Sequence, residues 1–285
     1  MCDSEIHQGL VETSALSRRA FVLAGVAVAG LATTALAENV VETDVMVKTP
    51  DGEADAALFY PKGKGPWPAV LVWPDILGLR PVFREMGRRL ANEGYVVLVP
   101  NPFYRSKRAP VVDGAFDFSK PDQRAQVMGF RAAMTDAGID KDTVAYLAFL
   151  DLQPQTDKRK KAGVQGYCMG GPLSFRTAAA VAGRIGAVGS FHGGGLVTAE
   201  PSSPHLLIPK TKAAYLLAIA QNDDARQPEA KDVLKKAFEA AGRPATVEVY
   251  PADHGWCVPA SQTYNEAAAE KAWSELLKLY KADLA

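Results

Sequence analysis

The sequence predicts an α/β architecture, a mostly parallel sheet of about eight strands with helices on both faces. Three observations predict it. After an opening hairpin signal, strand-length apolar runs alternate with helix-length stretches from Ala69 to the C-terminus. Several of those runs, Ala69–Trp73 and Tyr95–Val99 among them, are apolar without a break, as strands buried on both faces are. A glycine-punctuated run from Gly163 to Gly166 leads through Cys168 and Gly170 directly into the helix-forming stretch Pro172 to Ala182. This is a strand–turn–helix unit, and a parallel sheet needs a crossover of that kind after each strand.

In chain order, Val40 to Lys48 and Ala54 to Tyr60 flank the turn Thr49-Pro50-Asp51-Gly52, a hairpin signal. The strand Ala69–Trp73 precedes a helix over Pro81–Asn92, which carries Val82, Phe83, Met86 and Leu90 on one side and is closed by Gly94. Strand Tyr95–Val99 follows. The stretch Asn101 to Gln123 is the one long irregular segment, and a loop of that length beside a strand end is more often functional than idle. Helical patterns over Gln123 to Ala137 and Lys141 to Leu152 lead to the strand ending at Gly166. Strands Ile185–Phe191, Ala213–Ala220 and Thr246–Tyr250 then alternate with helices over Pro228–Ala241 and Gln262–Lys281. No internal repeat or linker interrupts this order, so residues 38–285 read as one domain.

The first 37 residues read differently. Ser17-Arg18-Arg19-Ala20-Phe21 opens an apolar, Gly/Ala-rich run that ends in Ala35-Leu36-Ala37. A charged start, a short apolar middle and a small-residue cleavage site make an export signal. The arginine pair with Phe21 behind it is of the twin-arginine type, which implies the twin-arginine export machinery as a partner. The expectation is a periplasmic protein that starts near Glu38, keeps no stable membrane insertion after cleavage and works as a monomer. Cys2 leaves with the signal, so Cys168 and Cys257 remain; in an oxidising compartment they could form a reversible disulfide.

The 32 basic and 32 acidic side chains balance to zero, with no long run of either sign, which argues against nucleic acid as a partner. No metal-ligand cluster is present, and Gly163, Gly166 and Gly170 lack the G-x-G pair of a dinucleotide fingerprint. Neither a metal nor a cofactor is expected.

Open parallel sheets carry their sites at the carboxyl ends of strands. Three such ends here hold reactive groups: Cys168, then Asp223 and Asp224, then His254. Nucleophile, acid, histidine is the chain order of the α/β-hydrolase triad, with cysteine in place of serine at the nucleophile elbow. There the imidazole takes the thiol proton while the carboxylate fixes its tautomer. The acid is Asp223 when counted from the strand and Asp224 when counted back from Pro228; Asp223 is preferred. His192 also ends a strand and is a second candidate base, but it precedes the acid in the chain.

Four stretches carry a resemblance: Trp73 through Leu79, Gly94 through Arg105, Gly166 through Gly171, and Asp253 through Cys257. From about Glu42 to the C-terminus the chain resembles the dienelactone hydrolase family, cysteine-using α/β-hydrolases that open enol-lactones. The resemblance implies an α/β-hydrolase fold and a small-molecule ester or lactone substrate. It implies Cys168 as nucleophile, His254 as base, and an oxyanion hole from the backbone N–H groups of Ile76 and Met169. It puts Asp75 where a family glutamate holds the resting thiol, and Arg105 where an arginine binds the substrate carboxylate. Trp256, Cys257 and Val258 stand where a second substrate-binding arginine is expected, so Trp256 enters the substrate site and a less charged ester or lactone is favoured. Two other readings share these residues: a hydrolase of thioesters or other acyl groups, and an inactive binding protein on the same fold.

Overall fold

The computed structural model describes residues 39–284. The expected export signal, with Cys2, lies outside the described residues. Eight strands form one sheet in the order β1-β2-β4-β3-β5-β6-β7-β8. Strands β1 (Val40–Thr49) and β2 (Gly52–Pro61) make the predicted hairpin, with Thr49 opposite Gly52. β2 runs antiparallel to β4 (Val96–Pro100), and every later pairing is parallel. The other parallel strands are β3 (Ala69–Trp73), β5 (Ala162–Tyr167), β6 (Ile185–Phe191), β7 (Ala214–Ala220) and β8 (Ala245–Tyr250).

Every residue of β3, β4 and β5 is buried, as uninterrupted apolar runs require when helices cover both faces. The sheet divides the core in two. One cluster gathers Leu71, Trp73, Val164, Cys168, Phe175 and Tyr146; the other gathers Val70, Phe83, Tyr167, Phe191, Trp256 and Tyr280. Gln165 is the polar residue inside β5, and its amide is satisfied: Nε2 donates to the Tyr167 hydroxyl at 2.7 Å and Oε1 accepts from Tyr280 at 3.0 Å.

Helix α1 (Pro81–Asn92) matches the predicted span and ends before Gly94, whose φ of 95° the turn into β4 requires. Helices α2 (Pro121–Ala132) and α3 (Asp136–Asp151) divide the predicted pair differently. The Thr135 side chain accepts the Gly138 N–H and starts α3 at Asp136, five residues before the predicted span that opens at Lys141. Helix α4 (Gly170–Ala180) follows the elbow, and a 3₁₀ turn, Pro204–Lys210, was not foreseen. The short helix α5 (Gln221–Arg226) lies where a plain turn was expected; α6 (Ala230–Ala240) and α7 (Glu266–Asp283) complete the chain. The irregular stretch after β4 is pinned into the core: Phe103, Val111, Phe116 and Phe118 join the cluster that holds Cys168.

The glycines of the elbow are fixed by close approach. A Cβ on Gly166 would sit 1.9 Å from the Gly170 carbonyl oxygen, and one on Gly170 would sit 2.4 Å from that of Trp73. Both obstacles are backbone, which cannot swing aside. Gly166→Ala should therefore cost at least about 3 kcal/mol, read as a fall in melting temperature of roughly 6–12 °C in a scanning calorimeter. A shift below about 2 °C would mean that the elbow opens more readily than its packing implies.

Candidate active site

Cys168 stands between β5 and α4 with φ of +52°, in the left-handed region that costs a non-glycine residue strain. Its backbone N–H donates to the Phe191 carbonyl at 3.0 Å, which ties the elbow to the end of β6. The thiol is buried at the amino end of α4, where the helix dipole favours negative charge. Gly170 packs on the Trp73 and Pro74 carbonyls, so the elbow meets the loop after β3 backbone to backbone. Ile76 and Met169, one on each side of that contact, are both buried beside Cys168 in the same cluster.

His254 lies in the loop after β8, its ring fully buried. Its Nδ1 meets Asp223 Oδ2 at 2.7 Å. The backbone is held from both sides, because its N–H donates to Asn222 Oδ1 at 2.8 Å and its carbonyl accepts from Thr263 Oγ1 at 2.7 Å. Asn222 and Asp223 both lie in α5, so one turn of helix holds the histidine's backbone and its ring together. Asp224, the other acid considered, points elsewhere and pairs with Lys231 at 2.7 Å. Burial pushes the Asp223 carboxyl up to about 7 and the His254 imidazole down to about 3, with Arg226 adding to the latter. Both shifts disfavour charge, and a neutral imidazole is the form that can take a proton.

A family model, the dienelactone hydrolase family, matches residues 54–284. The chain belongs to the dienelactone hydrolase family. A carboxymethylenebutenolidase from Pseudomonas sp. strain P51 is 30% identical over 222 residues, covering 77% of this chain and 86% of the relative. The solved dienelactone hydrolase of Anabaena variabilis shares the fold at a TM-score of 0.62 and 17% identity, over 87% of this chain and 100% of that one. A dienelactone hydrolase-like promiscuous phosphotriesterase from metagenomic libraries does so at 0.70 and 21%, over the same shares.

Other residues that the family resemblance singled out are placed in ways the sequence did not foretell. Asp75 is fully buried, but Arg80 grips both of its oxygens at 2.7 and 2.9 Å, and Oδ1 also accepts the Leu77 N–H. A buried carboxylate needs such a partner, and Arg80, five residues on, is a neighbour the sequence reading missed. Arg105 joins a different network: two bonds to Asp142 at 2.7 and 2.8 Å, two to Asp51 at 2.8 and 3.3 Å, and the Tyr104 ring beneath it. A substrate carboxylate would have to displace those carboxylates, so the network ties the hairpin turn to α3 and α3 to the loop after β4. Trp256 is buried and stacked on Tyr250, with centroids 4.7 Å apart and planes at 9°, in the cluster on the far side of the sheet from Cys168. It packs the core. No disulfide joins Cys168 and Cys257, which lie one in each cluster.

His192 is the second candidate base by sequence. It ends β6 with φ of +38°, is fully buried, and lays its ring against His254 with centroids 4.7 Å apart at 63°. Next to the elbow, a cavity of about 430 Å³ is lined by Met169, Pro172, Leu173, Gly194 and Gly195, with Met134 and Leu207 opposite. That volume is within the usual range for a small-molecule pocket.

Proposed function

We propose that this protein hydrolyses small, weakly charged carboxylic esters or lactones through an acyl-enzyme on Cys168. The observation that carries this reading is the 2.7 Å bond between His254 and Asp223, on the two strand ends that follow the strained Cys168 in the order the family uses. His254, with Nδ1–H directed to Asp223, takes the thiol proton at Nε2. The thiolate sulfur then attacks the carbonyl carbon, and the oxyanion develops beside the backbone N–H groups of Ile76 and Met169. Collapse breaks the carbon–oxygen bond, and the imidazolium returns its proton to the leaving oxygen. A water, deprotonated by His254, then attacks the thioester; the acid departs and the thiol is restored. Asp223, bonded to Nδ1, stabilises the imidazolium at each passage.

Two features favour a weakly charged substrate: Arg105 is occupied by Asp51 and Asp142, and Val258 follows Cys257 where a second arginine is expected. Rapid-quench mass spectrometry with p-nitrophenyl acetate tests the reading. An acetyl group should appear on the Cys168 peptide and decay as acetate accumulates. Nitrophenolate release without that adduct, or no release from the reduced, folded protein, would remove the reading.

A further inference from the structure

His192 is left unused by the mechanism above, and its surroundings are unusual. Among the described residues only Cys168 and His192 combine a side chain with positive φ, at +52° and +38°. Such strain collects at functional positions. The His192 ring is fully buried, yet neither nitrogen has a hydrogen-bond partner in the protein. Burying a polar group without a partner is costly, and a phenylalanine would fill the same shape without that cost. Packing therefore does not explain the imidazole.

The sheet order says which part of the reaction it faces. β6 lies between β5, which presents Cys168, and β7, which leads to Asp223. The loop carrying Ile76 leaves β3, on the opposite side of β5. An oxyanion held by Ile76 and Met169 thus points away from β6, and the leaving group lies towards His254. The His192 ring rests against the His254 ring, which delivers the proton to that leaving group.

We propose that His192 is a catalytic residue on the leaving-group side of the site, donating a hydrogen bond from its neutral imidazole to the ester oxygen as the carbon–oxygen bond breaks. No proton changes owner in this contact. His254 supplies the proton that ends on the alcohol, and His192 stabilises the negative charge that precedes it. Burial and the nearby His254 hold the His192 imidazole down to about 3, so it stays a neutral donor throughout the working range. Its N–H is built for substrates whose leaving group is a poor one, an aliphatic alcohol or the enol or hydroxyl oxygen of an opening lactone.

This inference rests on the proposed acyl-enzyme route, and a series of acetate esters separates the two. kcat/KM reports acylation, the step in which the leaving group departs. It is measured for p-nitrophenyl, phenyl, trifluoroethyl and ethyl acetate with wild type, His192→Phe, His192→Gly and His192→Asn. Loss of the donor in the Phe variant should cost the ethyl ester roughly 10–100-fold and p-nitrophenyl acetate less than about threefold, steepening the dependence on leaving-group pKa. His192→Gly removes the ring and relieves the positive φ, so it reads the same slope even if the Phe variant fails to fold. Asparagine tolerates positive φ and keeps an N–H donor, so His192→Asn should recover most of the ethyl-ester rate. An equal loss on every ester, or an unchanged slope in the Gly variant, would overturn the role of His192. If those esters turn over just as fast in Cys168→Ala, or do not turn over in wild type, the acyl-enzyme route itself falls.

Discussion

Cys168→Ala should lower kcat for p-nitrophenyl acetate by at least about 10⁴-fold while the protein stays folded. Cys168 is buried, held by a backbone bond to Phe191, and lies in one core cluster with Leu77, Met169 and Leu173. Alanine removes one sulfur atom from that packing and adopts the same strained φ at similar cost. The loss of stability is then of the order of 1–2 kcal/mol, and circular dichroism should show an unchanged spectrum at room temperature. The chemistry does not survive the change. His254 has no thiol to deprotonate, and what remains is attack by water beside the oxyanion hole. Enzymes of this logic keep only a residual acceleration when the nucleophile is removed. Colour release by the alanine variant above about 1% of wild type would mean that a different group attacks the ester.

Legibility from sequence divides along the range of the interactions concerned. The sheet was readable because each central strand is a continuous apolar run, and β3 and β6 span the residues their runs predict. The elbow was readable because its glycines are demanded locally, by carbonyls four residues away and on the neighbouring strand. What the sequence did not reveal depends on distant partners. Arg105 sits in the right local pattern for a substrate-binding arginine, yet its partners Asp142 and Asp51 are 37 and 54 positions away. Trp256 is adjacent to the base in sequence and faces the opposite core, because Gly255, with φ of 97°, turns the chain between them. His192 had a visible signal, a histidine at a strand end just before three glycines. Its contact with His254 spans the sheet edge, and no local pattern encodes that.

The acid of the proposed triad shows the same limit on the scale of one residue, and it gives a second large expected effect. Counting from β7 and counting back from Pro228 favour different aspartates, because neither count contains the helix α5 that intervenes. Successive helical residues are rotated by about 100°, so when Asp223 faces His254, Asp224 must face away, towards Lys231. Asp223→Asn should therefore lower kcat by roughly 10⁴-fold. An asparagine amide can donate to Nδ1, which leaves the histidine protonated at Nε2 and unable to accept the thiol proton. Asp224→Asn instead removes a partly exposed ion pair, worth under about 1 kcal/mol, and should leave kcat within about threefold of wild type. Steady-state kinetics on the two purified variants, side by side, decide the assignment. Activity above about 10% of wild type in Asp223→Asn, or a deeper loss in Asp224→Asn, would show that the acid which fixes the tautomer of His254 during turnover is not the one bonded to it at rest.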